Sequence, residues 1–228
     1  MFEYIDENLK NIRAAAEKAA ALSPYGQEYD ILLATKYASA EEINYAHSLG
    51  INKIGENRVQ SLLEKYDKLD RDGLDIHFIG SLQRNKVKYI IDKVSMIESL
   101  DSLELAREIE KQAAKKNIVM DCLVEINIGN EEAKGGIDKA DVHDFIDSVS
   151  EFSHIRVCGL MTMAPKCTEI DEYRKYFKES YDIFIDICEK KLHNVNRKVL
   201  SMGMSESFEA ALMEGANLIR VGRAAFQK

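Results

Sequence analysis

The segment Asp30-Ile-Leu-Leu-Ala-Thr-Lys36 is a short apolar run that ends in a lysine, and a helix-start signal, Ser39-Ala-Glu-Glu42, follows it at once. The pair predicts a buried strand that leads directly into a helix. Lys36 then lies at the mouth of the strand, where partial loss of water can make its amine nucleophilic. The alternative is that Lys36 is a solvated charge that only closes the strand.

The same alternation of strand and helix signals recurs along the chain. Helical periodicity fills most of the gaps between eight short apolar runs, which lie near 30–36, 52–56, 75–80, 95–100, 120–128, 155–163, 198–203 and 217–222. Eight such units predict an α/β protein, a closed (β/α)8 TIM barrel that takes in residues 1–228 as one domain. An open doubly wound sheet is the competitor. The sequence has neither G-x-G-x-x-G nor G-x-x-x-x-G-K-[ST], so we favour the barrel.

The two ends of the chain complete this prediction. After the last apolar run only Ala224-Ala-Phe-Gln-Lys228 remains, which is too short for a full eighth helix. A helix at about 2–21 is expected to fill the empty place in the outer ring of helices. Within the chain, Asp101-Ser-Leu-Glu104 predicts a capping box at the start of a helix over 102–116.

Composition disfavours several classes of protein. The formal net charge of −8 argues against binding to nucleic acid through the overall field, although Arg84, Lys86 and Lys88 form a basic patch that is either a solvated helix edge or a site for one anion. The four cysteines have no metal-ligand spacing, so we predict reduced thiols and no metal site. An acidic N-terminus and the lack of a membrane-length apolar run predict a soluble, cytoplasmic protein.

Two loops carry the residues of a predicted phosphate site. In (β/α)8 barrels, phosphate is frequently bound by the loops after strands seven and eight, which here are Ser201-Met-Gly-Met-Ser205 and Val221-Gly-Arg223. The first loop offers two hydroxyls and a glycine, and the second offers a glycine and a cation beside a short helix start. The alternative is that Ser205 is an N-cap and Gly222 a turn residue.

A lysine and a phosphate site on the same rim of a barrel indicate pyridoxal 5′-phosphate (PLP). A protein that binds this cofactor supplies a Schiff-base lysine, anchors for the phosphate and a partner for the pyridine nitrogen. Arg220, at the end of the eighth run, is placed to be that partner. An arginine there would keep the nitrogen unprotonated, because adjacent positive charges repel. The ring would then be a weaker electron sink.

Seven segments recur in order from the first strand to the eighth: Leu32-Leu-Ala-Thr-Lys36, Gly55-Glu-Asn-Arg-Val-Gln60, His77-Phe-Ile-Gly-Ser-Leu-Gln-Arg-Asn-Lys86, Val124-Glu-Ile-Asn-Ile128, Gly159-Leu-Met-Thr-Met163, Leu200-Ser-Met-Gly-Met-Ser205 and Arg220-Val-Gly222. Together they resemble the pyridoxal phosphate homeostasis proteins, a family similar to the barrel half of bacterial alanine racemase. The resemblance covers nearly the whole chain, and seven ordered segments make it specific.

The resemblance implies a role for each residue of the cofactor site. Lys36 would form the Schiff base with PLP, and Arg220 would face the pyridine nitrogen. The remaining contacts would come from five further residues: Ser201, Gly222 and Arg223 for the phosphate, and Asn57 and Met204 for the ring.

The chain departs from the family at the phosphate site. Arg223 stands where family members usually carry Thr, so a hydroxyl is replaced by a cation that either binds phosphate or points outward. Ser207 replaces the usual Asp at a helix start. We expect phosphate affinity to depend more on Ser201 together with Gly222 than on Ser205 or Ser207.

Three functions are compatible with this site. We favour a protein that is not an enzyme but carries and buffers PLP, with cofactor-free PLP-dependent enzymes as recipients. The second is a PLP-dependent amino-acid racemase. Racemases resembling this barrel add a second domain with a tyrosine base, whereas this chain ends at Lys228. Tyr37 is expected to point away from the cofactor, since strand residues alternate.

The third compatible function is that of an aldolase-like barrel in which Lys36 binds a sugar phosphate directly. Without the second domain, we expect a monomer.

Overall fold

Eight parallel strands pair in chain order, and the last pairs with the first, so the sheet closes into a barrel. The computed structural model describes residues 2–131, 135–190 and 198–228. The strands are β1 Asp30–Ala34, β2 Lys53–Glu56, β3 Asp75–Phe78, β4 Met96–Leu100, β5 Met120–Ile126, β6 Ile155–Thr162, β7 Val199–Met202 and β8 Leu218–Val221. Each lies within one of the eight predicted apolar runs, and the predicted (β/α)8 barrel is confirmed.

Helices surround this barrel. Those in the described ranges are α1 Glu3–Ala21, α2 Ala40–Ser48, α3 Val59–Tyr66, α4 Val87–Ile90, α5 Leu103–Lys116, α6 Val142–Ser150, α7 Ile170–Lys190, α8 Phe208–Met213 and α9 Arg223–Phe226. The last is a single turn, as the short C-terminal segment predicts. Helix α1 contacts α8, α9 and α2, and therefore occupies the place in the ring that a full eighth helix would take. None of the helices in these ranges is long and apolar enough to cross a bilayer.

The predicted helix start after β1 is present. The Ser39 hydroxyl accepts a hydrogen bond from the Glu42 backbone N–H at 3.2 Å, and the Glu42 carboxylate accepts one from the Ser39 N–H at 2.7 Å. This reciprocal pair is a capping box, and it satisfies two backbone donors that a helix start leaves free. The capping box fixes the start of α2, and so it limits the length of the turn between β1 and α2 that carries Lys36.

The capping box predicted at Asp101 is wrong. The N-cap of α5 is Ser102, one residue later, and its hydroxyl accepts from the Leu105 N–H at 3.4 Å. Glu104 is then the second residue of the helix, whereas a capping box requires the acidic residue at the third position. Asp101 instead accepts a hydrogen bond from the Ser102 hydroxyl at 3.2 Å.

The barrel interior has an apolar layer and a polar layer. Eight buried side chains form the apolar one: Leu32, Ile79, Met96, Leu123, Cys158, Met161, Val199 and Leu218. Because side chains of a strand alternate between its faces, the residue two positions farther along also faces the interior. That residue is polar on β4, β7 and β8, where Glu98, Ser201 and Arg220 follow the apolar layer and are all buried. The polar layer thus lies toward the carboxyl ends of the strands.

Candidate functional site

A pocket of about 620 Å³ opens at the carboxyl ends of the strands, where (β/α)8 barrels place their sites. Its wall includes side chains that follow β1, β2, β7 and β8 in the chain. Six of the seven predicted site residues line it: Lys36, Asn57, Met204, Arg220, Gly222 and Arg223. The barrel therefore brings together residues that are up to 187 positions apart (223 − 36) in the sequence.

The backbone that carries Lys36 is held from two sides. Strand β1 ends at Ala34, and the Thr35 hydroxyl donates to the Glu56 carboxylate at 2.8 Å. Lys65 Nζ donates to the Thr35 carbonyl at 2.8 Å and lies 2.7 Å from Glu56 Oε1. Thr35 and Glu56 are buried, whereas Lys36 itself is exposed to the pocket. The sequence prediction missed Glu56 and Lys65, because their pairing joins β2 to the helix that follows it.

Tyr37 lies in the pocket beside Lys36, so the prediction that it points away is wrong. The Lys36 Nζ atom is 4.8 Å from the centroid of the Tyr37 ring, and the ring is 80% exposed. Strand alternation does not apply here, because β1 has already ended at Ala34. A hydrogen bond from Lys36 and its positive charge hold the pKa of the Tyr37 phenol below its usual value.

The loops after β7 and β8 meet at the hydroxyl of Ser205. Its Oγ accepts hydrogen bonds from the backbone N–H groups of Gly222 at 3.3 Å and Ala224 at 3.4 Å. A Cβ at Gly222 would lie 3.1 Å from the Ala34 carbonyl oxygen, so a glycine lets this backbone approach β1 closely. The N-cap of α8 is Ser207, not Ser205, so the alternative reading of Ser205 as an N-cap is wrong.

Arg223 places its charge at the rim of the pocket. Its guanidinium forms an ion pair with Glu206 at 2.7 Å, and its side chain is 71% exposed. Exposed pairs of this kind contribute little to stability. The pairing with Glu206 partly neutralises the cation that replaces the usual Thr, so the contribution of Arg223 to anion binding stays a prediction.

Ser201 is the predicted site residue that does not line the pocket. It is fully buried; its hydroxyl donates to Glu98 Oε2 at 2.6 Å and accepts from Arg220 Nη1 at 2.6 Å. Arg220 Nη2 donates to the Thr162 carbonyl at 2.9 Å, and His77 Nδ1 lies 2.6 Å from Glu98 Oε1. The phosphate contact expected of Ser201 does not match this placement, because its hydroxyl is directed to other side chains of the barrel.

The electrostatics of this polar layer follow from its burial. Burial alone would raise the pKa of the Glu98 carboxyl, but the hydrogen bond and charge of His77 and the charge of Arg220 bring it below its usual value. Burial also lowers the pKa of the Arg220 guanidinium, against the charges of Glu98 and Glu125. Burial raises the pKa of Glu125 to about 7, with a further contribution from Asp101. Glu98 is therefore the anion that balances the buried Arg220.

One signal in the sequence could have identified Glu98, which the sequence prediction missed. A charged residue inside a continuous apolar strand is rarely buried unless it is paired, and Glu98 lies within Met96-Ile-Glu-Ser-Leu100. Its partners cannot be found in this way, because His77, Ser201 and Arg220 come from three other strands.

Comparisons with known proteins agree with the fold. The family model "Alanine racemase, N-terminal domain" matches residues 3–227. A pyridoxal phosphate homeostasis protein of Aquifex aeolicus is 39% identical over 221 residues, 96% of each chain, and one of Helicobacter pylori is 34% identical over 200 residues, 87% of each chain. The solved structure of PipY from Synechococcus elongatus with PLP bound is similar with a TM-score of 0.83 at 26% identity, over 97% of this chain and 99% of PipY. The chain therefore belongs to the family of pyridoxal phosphate homeostasis proteins.

Proposed function

We propose that this protein binds PLP through a reversible Schiff base on Lys36 and so carries and buffers the cofactor in vitamin B6 and amino-acid homeostasis. When bound, PLP supplies an aldehyde that reacts with amines and a ring that withdraws electrons. Cofactor-free PLP-dependent enzymes of the cytoplasm are the proposed recipients. The family of the chain and the PLP bound to PipY support the choice of cofactor.

The observation that carries the proposal is that one pocket collects three groups that suit PLP. The Lys36 amine suits the aldehyde, the Arg220 guanidinium suits the ring nitrogen, and the Ser205 hydroxyl beside Gly222 suits the phosphate as a hydrogen-bond donor. The volume of about 620 Å³ is within the range of small-molecule sites.

The position of Arg220 favours a PLP carrier over an enzyme that needs the cofactor as a strong electron sink. It is a buried cation at the base of the pocket. Next to the ring nitrogen, such a cation disfavours protonation of that nitrogen by charge repulsion. Substrate carbanions would then gain little stabilisation from the ring, so retention of the cofactor is the better-supported role.

An amino-acid racemase is the second candidate, and Tyr37 is the residue that favours it. Tyr37 lies in the pocket, and the charge and hydrogen bond of Lys36 lower the pKa of its phenol, which is the direction that favours proton transfer. Racemisation, however, needs proton-transfer groups on opposite faces of the substrate carbon. The Tyr37 ring contacts Lys36 itself, so the two groups lie on one side of the pocket.

The deciding experiment is a visible absorbance spectrum of the purified protein with PLP, followed by borohydride reduction and peptide mass analysis. We expect a yellow protein in which the reduced pyridoxyl group is on Lys36. The aldolase-like alternative would be favoured if the protein takes up no PLP and borohydride instead links a sugar phosphate covalently to it. Assays with L- and D-amino acids on the unreduced, PLP-loaded protein distinguish a PLP carrier from a racemase. Light scattering at two concentrations tests the proposed monomer.

A further inference from the structure

We propose that His77, Glu98 and Ser201 form a buried relay that positions Arg220 and balances its charge, so that the guanidinium is held ready for the cofactor ring. Ser201 is thus a positioning residue rather than a phosphate anchor. The inference rests on the proposed function for the identity of the ligand that Arg220 meets. The relay itself depends only on contacts inside the barrel.

The relay joins four strands across the barrel interior. Its links are the 2.6 Å contacts from His77 Nδ1 to Glu98 Oε1, from Glu98 Oε2 to Ser201 Oγ, and from Ser201 Oγ to Arg220 Nη1. All four residues are at most 4% exposed. Short contacts between buried charged and polar groups are strong and directional, since water does not compete for them.

The direction of each hydrogen bond is fixed by chemistry. Arginine has donors and no acceptor, so Arg220 must donate to Ser201. A serine hydroxyl has one hydrogen, and the Glu98 carboxylate, 2.6 Å away, takes it. Ser201 therefore has no hydrogen left to donate to a phosphate. The ionised Glu98 also requires that His77 carries its proton on Nδ1.

The serine between the two charges leaves Arg220 free to bind a ligand. In a direct bidentate ion pair with Glu98, Arg220 would donate two of its N–H groups to the carboxylate. Here Arg220 donates one N–H group to the Ser201 hydroxyl and one to the Thr162 carbonyl. The other three of its five N–H groups make no hydrogen bond within the described part of the chain, and Arg220 lines the pocket. Glu98 still balances the buried charge through the hydroxyl, and the charge of Glu125 adds to it.

The alternative is that this polar layer only stabilises the barrel. The two roles differ in what they predict for Arg220 in the folded protein. A stabilising layer would change the free energy of unfolding and leave the order of the Arg220 side chain intact. A positioning relay would release the guanidinium in a protein that is still folded.

The test compares Ser201→Ala and Glu98→Gln with Ser99→Ala as the matched control. Ser99 is adjacent to Glu98 and buried, and its hydroxyl makes no hydrogen bond with any residue that the structure describes. Two quantities are measured: the dissociation constant for PLP from absorbance titration, and the ¹H–¹⁵N signal of the Arg220 side chain in cofactor-free protein, assigned with Arg220→Lys.

We expect Ser201→Ala to weaken PLP affinity about tenfold, the equivalent of one hydrogen bond to a charged group. The Arg220 signal should lose its dispersion and its protection from exchange in the same variant. Borohydride labelling of Lys36 at saturating PLP should persist. Glu98→Gln should have a similar or larger effect, and Ser99→Ala should behave as the unsubstituted protein does.

Two results would overturn the relay. One is an Arg220 signal and a PLP affinity that are unchanged in Ser201→Ala. The other is an equal loss in Ser99→Ala, which would indicate general loosening of the barrel. If Glu98→Gln does not fold, the milder Ser201→Ala variant decides the question. Failure of the unsubstituted protein to bind PLP would contradict the proposed function, while the Arg220 signal in cofactor-free protein would still decide the relay.

Discussion

The Ser205 hydroxyl accepts a hydrogen bond from the Gly222 backbone N–H, and this contact joins the loop after β7 to the loop after β8. The same oxygen accepts from the Ala224 N–H, where the chain begins its last helical turn. Ser205 therefore lies where the sequence predicts phosphate, and its hydroxyl donates to no residue in the described ranges. We therefore propose that Ser205, rather than Ser201, contacts the phosphate.

Replacement of Ser205 by Ala should weaken the binding of PLP more than that of pyridoxal, which lacks the phosphate. We expect the affinity for PLP, divided by the affinity for pyridoxal, to fall about fivefold to tenfold, which is the effect of one hydrogen bond to a charged group. Absorbance titration with both compounds measures it. Ser207→Ala, at the N-cap of α8, is the control. A larger loss in the control than in Ser205→Ala would contradict the assignment.

Replacement of Lys36 by Ala should abolish borohydride-stable labelling by PLP and leave the fold intact. Lys36 is exposed, so its removal should change the free energy of unfolding by no more than about 0.5 kcal/mol. Peptide mass analysis and urea unfolding give the two readouts, and Lys68→Ala, another exposed lysine, serves as the comparison. Undiminished labelling of the Lys36→Ala variant would show that another amine holds the cofactor.

Replacement of Lys65 by Met should destabilise the barrel by about 2–4 kcal/mol, because it leaves the buried Glu56 without its cation. The Thr35 carbonyl loses a donor in the same variant. Urea unfolding measures the effect, and Lys65→Arg, which keeps the charge, should recover part of it. A change below about 0.5 kcal/mol for Lys65→Met would mean that water replaces the ion pair at no cost.

Replacement of Glu125 by Gln should change how stability depends on pH. Burial, with the Asp101 charge, raises the pKa of Glu125 in the folded protein to about 7, whereas an unfolded glutamate titrates near 4.3. The folded state thus binds more protons between these values, and the contribution of Glu125 falls as the pH rises through that window.

Unfolding free energies from pH 4 to 8 test this sign. The unsubstituted protein should lose stability relative to Glu125→Gln as the pH approaches 7, and the two should differ little below pH 4.3. The exposed Glu209→Gln should run parallel to the unsubstituted protein. A difference that grows as the pH falls would show that the Glu125 carboxylate is stabilised, not penalised, by its surroundings.

The local order of elements could be predicted from the sequence, because it depends on neighbouring residues. Apolar runs of strand length, helical periodicity between them and the capping signal at Ser39 all act within a few positions. The place of Lys36 at the end of β1 follows from the same local pattern. The choice of cofactor followed from combining this lysine with the loops that the barrel topology places beside it.

The tertiary structure alone decided which side chains meet inside the barrel. Strand alternation indicates which face of its own strand each of Glu98, Ser201 and Arg220 occupies. It does not indicate whether the three side chains lie at the same level of the barrel and so come into contact. The orientation of Tyr37 depended on where β1 stops. Ser201 lies within β7 and Ser205 in the loop that follows, so one hydroxyl is buried against Glu98 and the other lies beside Gly222. Local sequence determines the direction of each strand, whereas burial and hydrogen bonding between strands determine the partners of each polar group.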